Sequence, residues 1–229
     1  MKAYFSTLAR SIHQQLIMMG SSMPLSHAQQ LLAASLGYSS LAAYQASPEE
    51  QSGVAESTYI ILDLVGVASR ANEISVGLQV KQVVDAFTKA IKAAPQLPRV
   101  FLTDREFLET EMTRFIEENI LNDDTVLSVA AATNGYFNDV EIEMEQPSMT
   151  LAQSPGFWEV PFNGHVNLDQ DPDKPFSGDV IKVTGVARIW KAGRVCLMDD
   201  IELDIEASID DSHYDHNDVR SEPSISSYS

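Results

Sequence analysis

The chain has 229 residues, 44% of them hydrophobic, with 15 Lys and Arg against 33 Asp and Glu and one cysteine. That composition excludes wholesale disorder and an intramolecular disulfide framework, and no apolar run approaches the roughly 18 residues of a membrane-spanning helix. The net charge of −18 is uneven: residues 1–50 balance, 51–122 sum to −3, and 123–229 sum to −15, with six basic residues against 21 acidic. Such a surface repels phosphate backbones and attracts basic partners, although plain solubility also accounts for it.

The opening Met1-Lys2-Ala3-Tyr4-Phe5-Ser6-Thr7 has no long apolar stretch and no small-residue cleavage site. With the single cysteine, this leads us to expect a cytoplasmic protein. Phe5, Leu8, Ile12, Leu16 and Met19 recur at three and four residues, which predicts a helix over 3–19, ended by Gly20 to Pro24. Ser26-His27-Ala28-Gln29 fits a capping box for a second helix with Leu31, Leu32 and Leu36 on its apolar side. Gly37 closes that helix, and Ser39 or Ser40 caps a third over Leu41 to Gln45.

Leu25-Ser26-His27-Ala28-Gln29, Leu31-Leu32-Ala33, Leu36-Gly37-Tyr38 and Leu41-Ala42-Ala43-Tyr44 together resemble a small helical module at the start of bacterial glyoxalase-superfamily-related proteins, often encoded on mobile elements. The resemblance covers residues 3–46, and Leu41 stands where the pattern commonly has tryptophan. It implies a compact three-helix unit. It carries no enzymatic activity over, because no glyoxalase-like pattern of metal ligands follows.

Ser47 to Ser57 has the composition of a linker. Tyr59 to Val67 fits a buried strand or the start of a helix. Residues 75–93 have helical spacing up to Pro95, and Val100-Phe101-Leu102 reads as a short strand. Thr103-Asp104-Arg105-Glu106 is a second capping box, opening a helix that buries Phe107, Leu108, Met112, Phe115, Ile116 and Ile120. After Asp124 the period changes to two: strands are predicted over Val126 to Ala131, from a tight turn at Asn134-Gly135 through Tyr136 to Met144, and over 157–168, 179–190 and Val195 to Ile209. The expected architecture is α+β: a helical module (1–48), a domain with two or more helices and a mainly antiparallel sheet (58–209), and a disordered acidic tail (210–229).

Asp139, Glu141, Glu143 and Glu145 alternate with Val140, Ile142 and Met144, so four carboxylates share one face of one strand. Every second residue repeats at roughly 6.6–6.8 Å, a regular array of negative charge such as a nucleic-acid mimic presents. Glu202, Asp204 and Glu206 form a second row. Either row also reads as a solvated face that protects the sheet against edge pairing.

Other chemistry is weaker. Asp169-Gln170-Asp171-Pro172-Asp173 starts like a calcium loop but has Lys174 and Val180 where glycine and glutamate are required. His213, Asp215 and His216 fall in the tail. His165 has no evident partner, His27 suits a packing role at a helix start, and Cys196 sits among apolar neighbours. No phosphate loop or nucleophile elbow is present. No catalytic residue, metal ligand or cofactor is expected.

The leading expectation is therefore a non-enzymatic, inhibitory or antitoxin-like protein. Its acidic surface would face a basic partner such as a nucleic-acid-handling protein, and its helical module could self-associate. Direct nucleic-acid binding by the acidic domain and membrane association are not expected. Two alternatives stand beside it. One is DNA binding through the helical module, although His27 to Gln45 holds no Lys or Arg. The other is an enzyme using dispersed acids such as Asp63, Glu141 and Asp179.

Overall fold

The computed structural model describes residues 2–47, 53–74, 77, 79–93, 98–133, 135–170, 173 and 180–210. Among these the fold is α+β, with eight α-helices and a mixed six-stranded sheet. The helices are α1 (Lys2–Met18), α2 (Leu25–Ser35), α3 (Leu41–Gln45), α4 (Leu64–Glu73), α5 (Val80–Lys92), α6 (Asp104–Phe107), α7 (Thr113–Ile120) and α8 (Asp124–Thr133). The strands are β1 (Tyr59–Ile61), β2 (Arg99–Phe101), β3 (Gly135–Met144), β4 (Phe157–Gln170), β5 (Val180–Lys191) and β6 (Cys196–Ile209), in the order β2-β1-β6-β5-β4-β3. β1 pairs parallel with β2 and antiparallel with β6.

The chain forms two compact units. One combines Met1–Phe115, Met144–Pro161 and Val186–Asp204; the other combines Ile116–Glu143, Phe162–Gly185 and the described part of Ile205–Ser229.

In the first unit α1 packs along α5, and α2 along α4. Ala9, Ile12 and Leu16 of α1 and Val83, Ala86, Phe87 and Ala90 of α5 are almost wholly buried. The apolar stripe of α1 is thus spent inside the unit, at roughly 1.5–3 kcal/mol for each large side chain removed from water. Helix α2 begins at Leu25 with Pro24 as its N-cap and no side-chain cap, so Ser26 lies inside the helix and the capping box read there does not form. The Pro24 carbonyl accepts from the His27 N–H at 3.0 Å, so backbone takes one of the first-turn donors that a side-chain cap would otherwise satisfy. Gly37 closes α2 with φ of +82°, as expected, and Ser40 caps α3 by accepting from the Ala43 N–H.

Part of the stretch read as a linker is packed instead. Gly53 and Ser57 are buried, and the Ser57 N–H donates to the Gly53 carbonyl at 2.9 Å. The undecided segment from Tyr59 resolves as both elements. β1 is followed at once by α4, whose N-cap Asp63 accepts from the Gly66 N–H at 2.8 Å. Tyr59, Phe101, Phe107 and Trp158 form one aromatic cluster, with successive ring centroids 5.2–6.4 Å apart.

In the second unit, Ile116, Ile120, Val126, Phe162, Val166, Ile181 and Val183 are all buried. Residues Val126 to Ala131, expected as a strand, belong to helix α8. An apolar run carries no period of its own, and here the N-terminal Asp123 decides: its Oδ1 accepts from the N–H groups of Thr125 and Val126 and starts a helix. Gly135 consequently joins a helix to a strand rather than two strands; Asn134 lies outside the described residues.

Candidate functional site

Strand β3 ends the strand order, so among the described residues only β4 pairs with it. Asp139, Glu141 and Glu143 are exposed on it, while Val140 and Ile142 are partly covered. The alternation changes phase at Asn138–Asp139, both exposed, and Asn138 Nδ2 donates to Asp169 Oδ1 at 3.0 Å. β3 lies very close to β4 at one point: a Cβ on Gly164 would stand 2.2 Å from the Glu141 carbonyl oxygen and 2.7 Å from Ile142 Cδ1. Glycine at 164 lets the edge strand approach.

Beside this strand lies a cavity of about 350 Å3 whose lining includes Glu117, Glu141, Glu143, Asn163 and His165. Among the described residues three carboxylates line it and no Lys or Arg does. Burial, then Asp139 and Glu118, push the Glu117 carboxyl above its ordinary range. The elevation reports burial first and the neighbouring carboxylates second.

The remaining residues of the two rows fall elsewhere. Glu145, in the first unit, is exposed and donates its backbone N–H to the Pro161 carbonyl at 2.9 Å. Glu202, Asp204 and Glu206 are exposed along β6, which β5 and β4 separate from β3. Glu202 is also engaged: Arg188 on β5 bridges it at 3.3 Å and Glu159 on β4 at 3.1 Å, with the guanidinium 5.2 Å from the Phe157 ring centroid.

Asp63, weighed as a catalytic acid, is a helix cap. Cys196 is buried opposite Ile60. His27 donates its backbone N–H to Pro24 in the first turn of α2. Asp169 closes β4, and among the described residues no three His, Cys, Asp or Glu are grouped to hold a metal. Asp171, Pro172, Lys174, Asp179, His213, Asp215 and His216 lie outside the described residues. Among the described residues no helix is long and apolar enough to cross a membrane.

Sequence reading missed one charged cluster. Between α6 and α7 the helix widens into a π-turn over Leu108–Met112, and Thr113 Oγ1 donates to the Leu108 carbonyl. Glu111 in this turn is buried, accepting both guanidinium nitrogens of Arg99 and one of Arg114, the latter at 3.1 Å. Burial, then Glu111, push the Tyr59 phenol upward against the opposing influence of Arg99 and Arg114. The signal was in the spacing: Glu111 stands four residues after Phe107, on the helix's apolar side.

No family model, curated protein or solved structure matches the chain.

Proposed function

We propose that the chain is a non-enzymatic binding protein that engages a basic protein surface with the exposed edge of β3. The observation that carries this reading is the cavity lined by Glu117, Glu141 and Glu143 beside the edge strand. A Lys or Arg of the partner enters it, while Asp139, exposed on the same strand, steers the approach. Electrostatic complementarity of this kind governs association rate and specificity more than raw affinity. The −15 carried by residues 123–229 supports the reading. The test is partner retention by the full chain from its native cell, compared between wild type and Glu141→Gln/Glu143→Gln over a range of salt. Retention should fall at least about tenfold in the double variant and decline steeply with salt, the Debye length being about 10 Å at 0.1 M. An unchanged melting temperature with unchanged retention would leave the row as a solvated face.

A further inference from the structure

The two faces of β3 differ in kind. Asp139, Glu141 and Glu143 are exposed on one, and Val140 and Ile142 on the other are only partly covered. On the neighbouring β4 the inward residues Phe162, Val166 and Leu168 are almost wholly buried. The apolar face of β3 thus keeps surface that a further strand would cover. The backbone is oriented for one. The Glu141 carbonyl lies against Gly164 of β4, too close for a Cβ there. Backbone groups alternate sides along a strand, so those of Val140 and Ile142 turn away from β4. Among the described residues no strand pairs with β3 on that side. Such an edge is a template for another chain.

Charge selects the occupant. A second copy paired through β3 would set the acids of one chain across from those of the other, and like charges directly opposite destabilise a strand pair. Residues 211–229 carry four acids against one Arg, so the chain's own end suits the edge no better. We propose that the basic partner docks by adding a strand to β3. Its segment is extended, with Lys or Arg at every second residue and apolar residues between. This docking mode rests on the binding role proposed above and names the form in which the partner presents its cations. Side chains of any strand repeat at roughly 6.6–6.8 Å on one face, so each cation meets one carboxylate in turn. The apolar residues cover Val140 and Ile142, and the main chain bonds to the backbone of the same two residues. Main-chain bonds supply affinity in this mode, and alternate side chains supply specificity.

The probes are three octapeptides of equal charge, titrated into the full chain by calorimetry and by amide hydrogen exchange. One alternates Lys and Val, one has the same composition in two blocks, and one is the alternating peptide N-methylated throughout. The alternating peptide should bind at least about tenfold more tightly than either of the others. It should also slow exchange at the Val140 and Ile142 amides, and Glu141→Gln/Glu143→Gln should weaken it. Equal affinity for all three peptides, lost in that double variant, would overturn strand addition and leave the basic-partner reading standing. No binding of the alternating peptide, or binding that the double variant leaves unchanged, would overturn both. Slow exchange at Val140 and Ile142 in the chain without peptide would show the edge already taken and would overturn the docking mode alone.

Discussion

The backbone at Gly53 meets the carbonyl oxygen of Ala192 so closely that a Cβ there would stand 1.9 Å away. Backbone cannot yield as a flexible side chain does, so Gly53→Ala must push the hairpin aside. The expected cost is about 1–3 kcal/mol by chemical denaturation, the range of core overpacking. A Gly53→Ala protein of wild-type stability would show that this close approach does not exist.

Gly164→Ala tests the other close approach, of β4 to the edge strand. The new methyl would collide with the Glu141 carbonyl and with Ile142, splaying β3 away. We expect a loss of about 1–3 kcal/mol together with weaker partner retention, since Glu141 and Glu143 ride on the displaced strand. Loss of stability with full retention would separate the strand's position from its binding.

The N-terminal helices are expected to unfold with the first unit rather than before it. Ile12 is fully buried, and α1 packs on α5. Ile12→Ala should therefore cost about 2–5 kcal/mol and lower the main transition seen by calorimetry. A separate early transition, with the main one unmoved, would establish residues 3–46 as autonomous.

Glu111 predicts an asymmetry. Its arginine partners are more than half exposed, whereas its own side chain is 7% exposed. Replacing Arg99 and Arg114 by Gln strands a buried carboxylate and should cost about 3–5 kcal/mol. Glu111→Gln leaves two solvated cations and should cost about 1–3 kcal/mol. Urea denaturation of both variants at neutral pH gives the comparison; equal costs would mean that water reaches the carboxylate.

Glu117 sets a pH dependence. Its folded pKa is raised, chiefly by burial, so the folded state holds this proton more tightly than the unfolded state. The favourable contribution is present below the ordinary carboxylate value of about 4.3 and is lost as pH rises toward the folded value. Glu117→Gln should therefore raise the melting temperature at neutral pH and bring no gain in acid. A gain of equal size at both pH values would point to packing instead of charge.

Much of this protein follows from local chemistry along the chain. Helical spacing marks α1, α5 and the Phe107–Ile120 stretch; Ser40, Thr103 and Gly37 act at helix ends as their side chains or lack of one dictate. Period two exposes Asp139, Glu141 and Glu143 and covers Val140 and Ile142, because successive strand side chains point to opposite faces. Tertiary structure decided what depends on distant neighbours. The apolar run of α8 suits helix or strand alike until packing and the Asp123 cap select one. The two acidic rows read alike in sequence, but β4 and β5 stand between their strands in the strand order, and Arg188 on β5 is set against Glu202. Gly53 reads as a linker residue until the β5–β6 hairpin is laid against it. Arg194 of the same hairpin donates to the carbonyl of Gly37, more than 150 residues earlier, a proximity created by chain folding and by no local pattern.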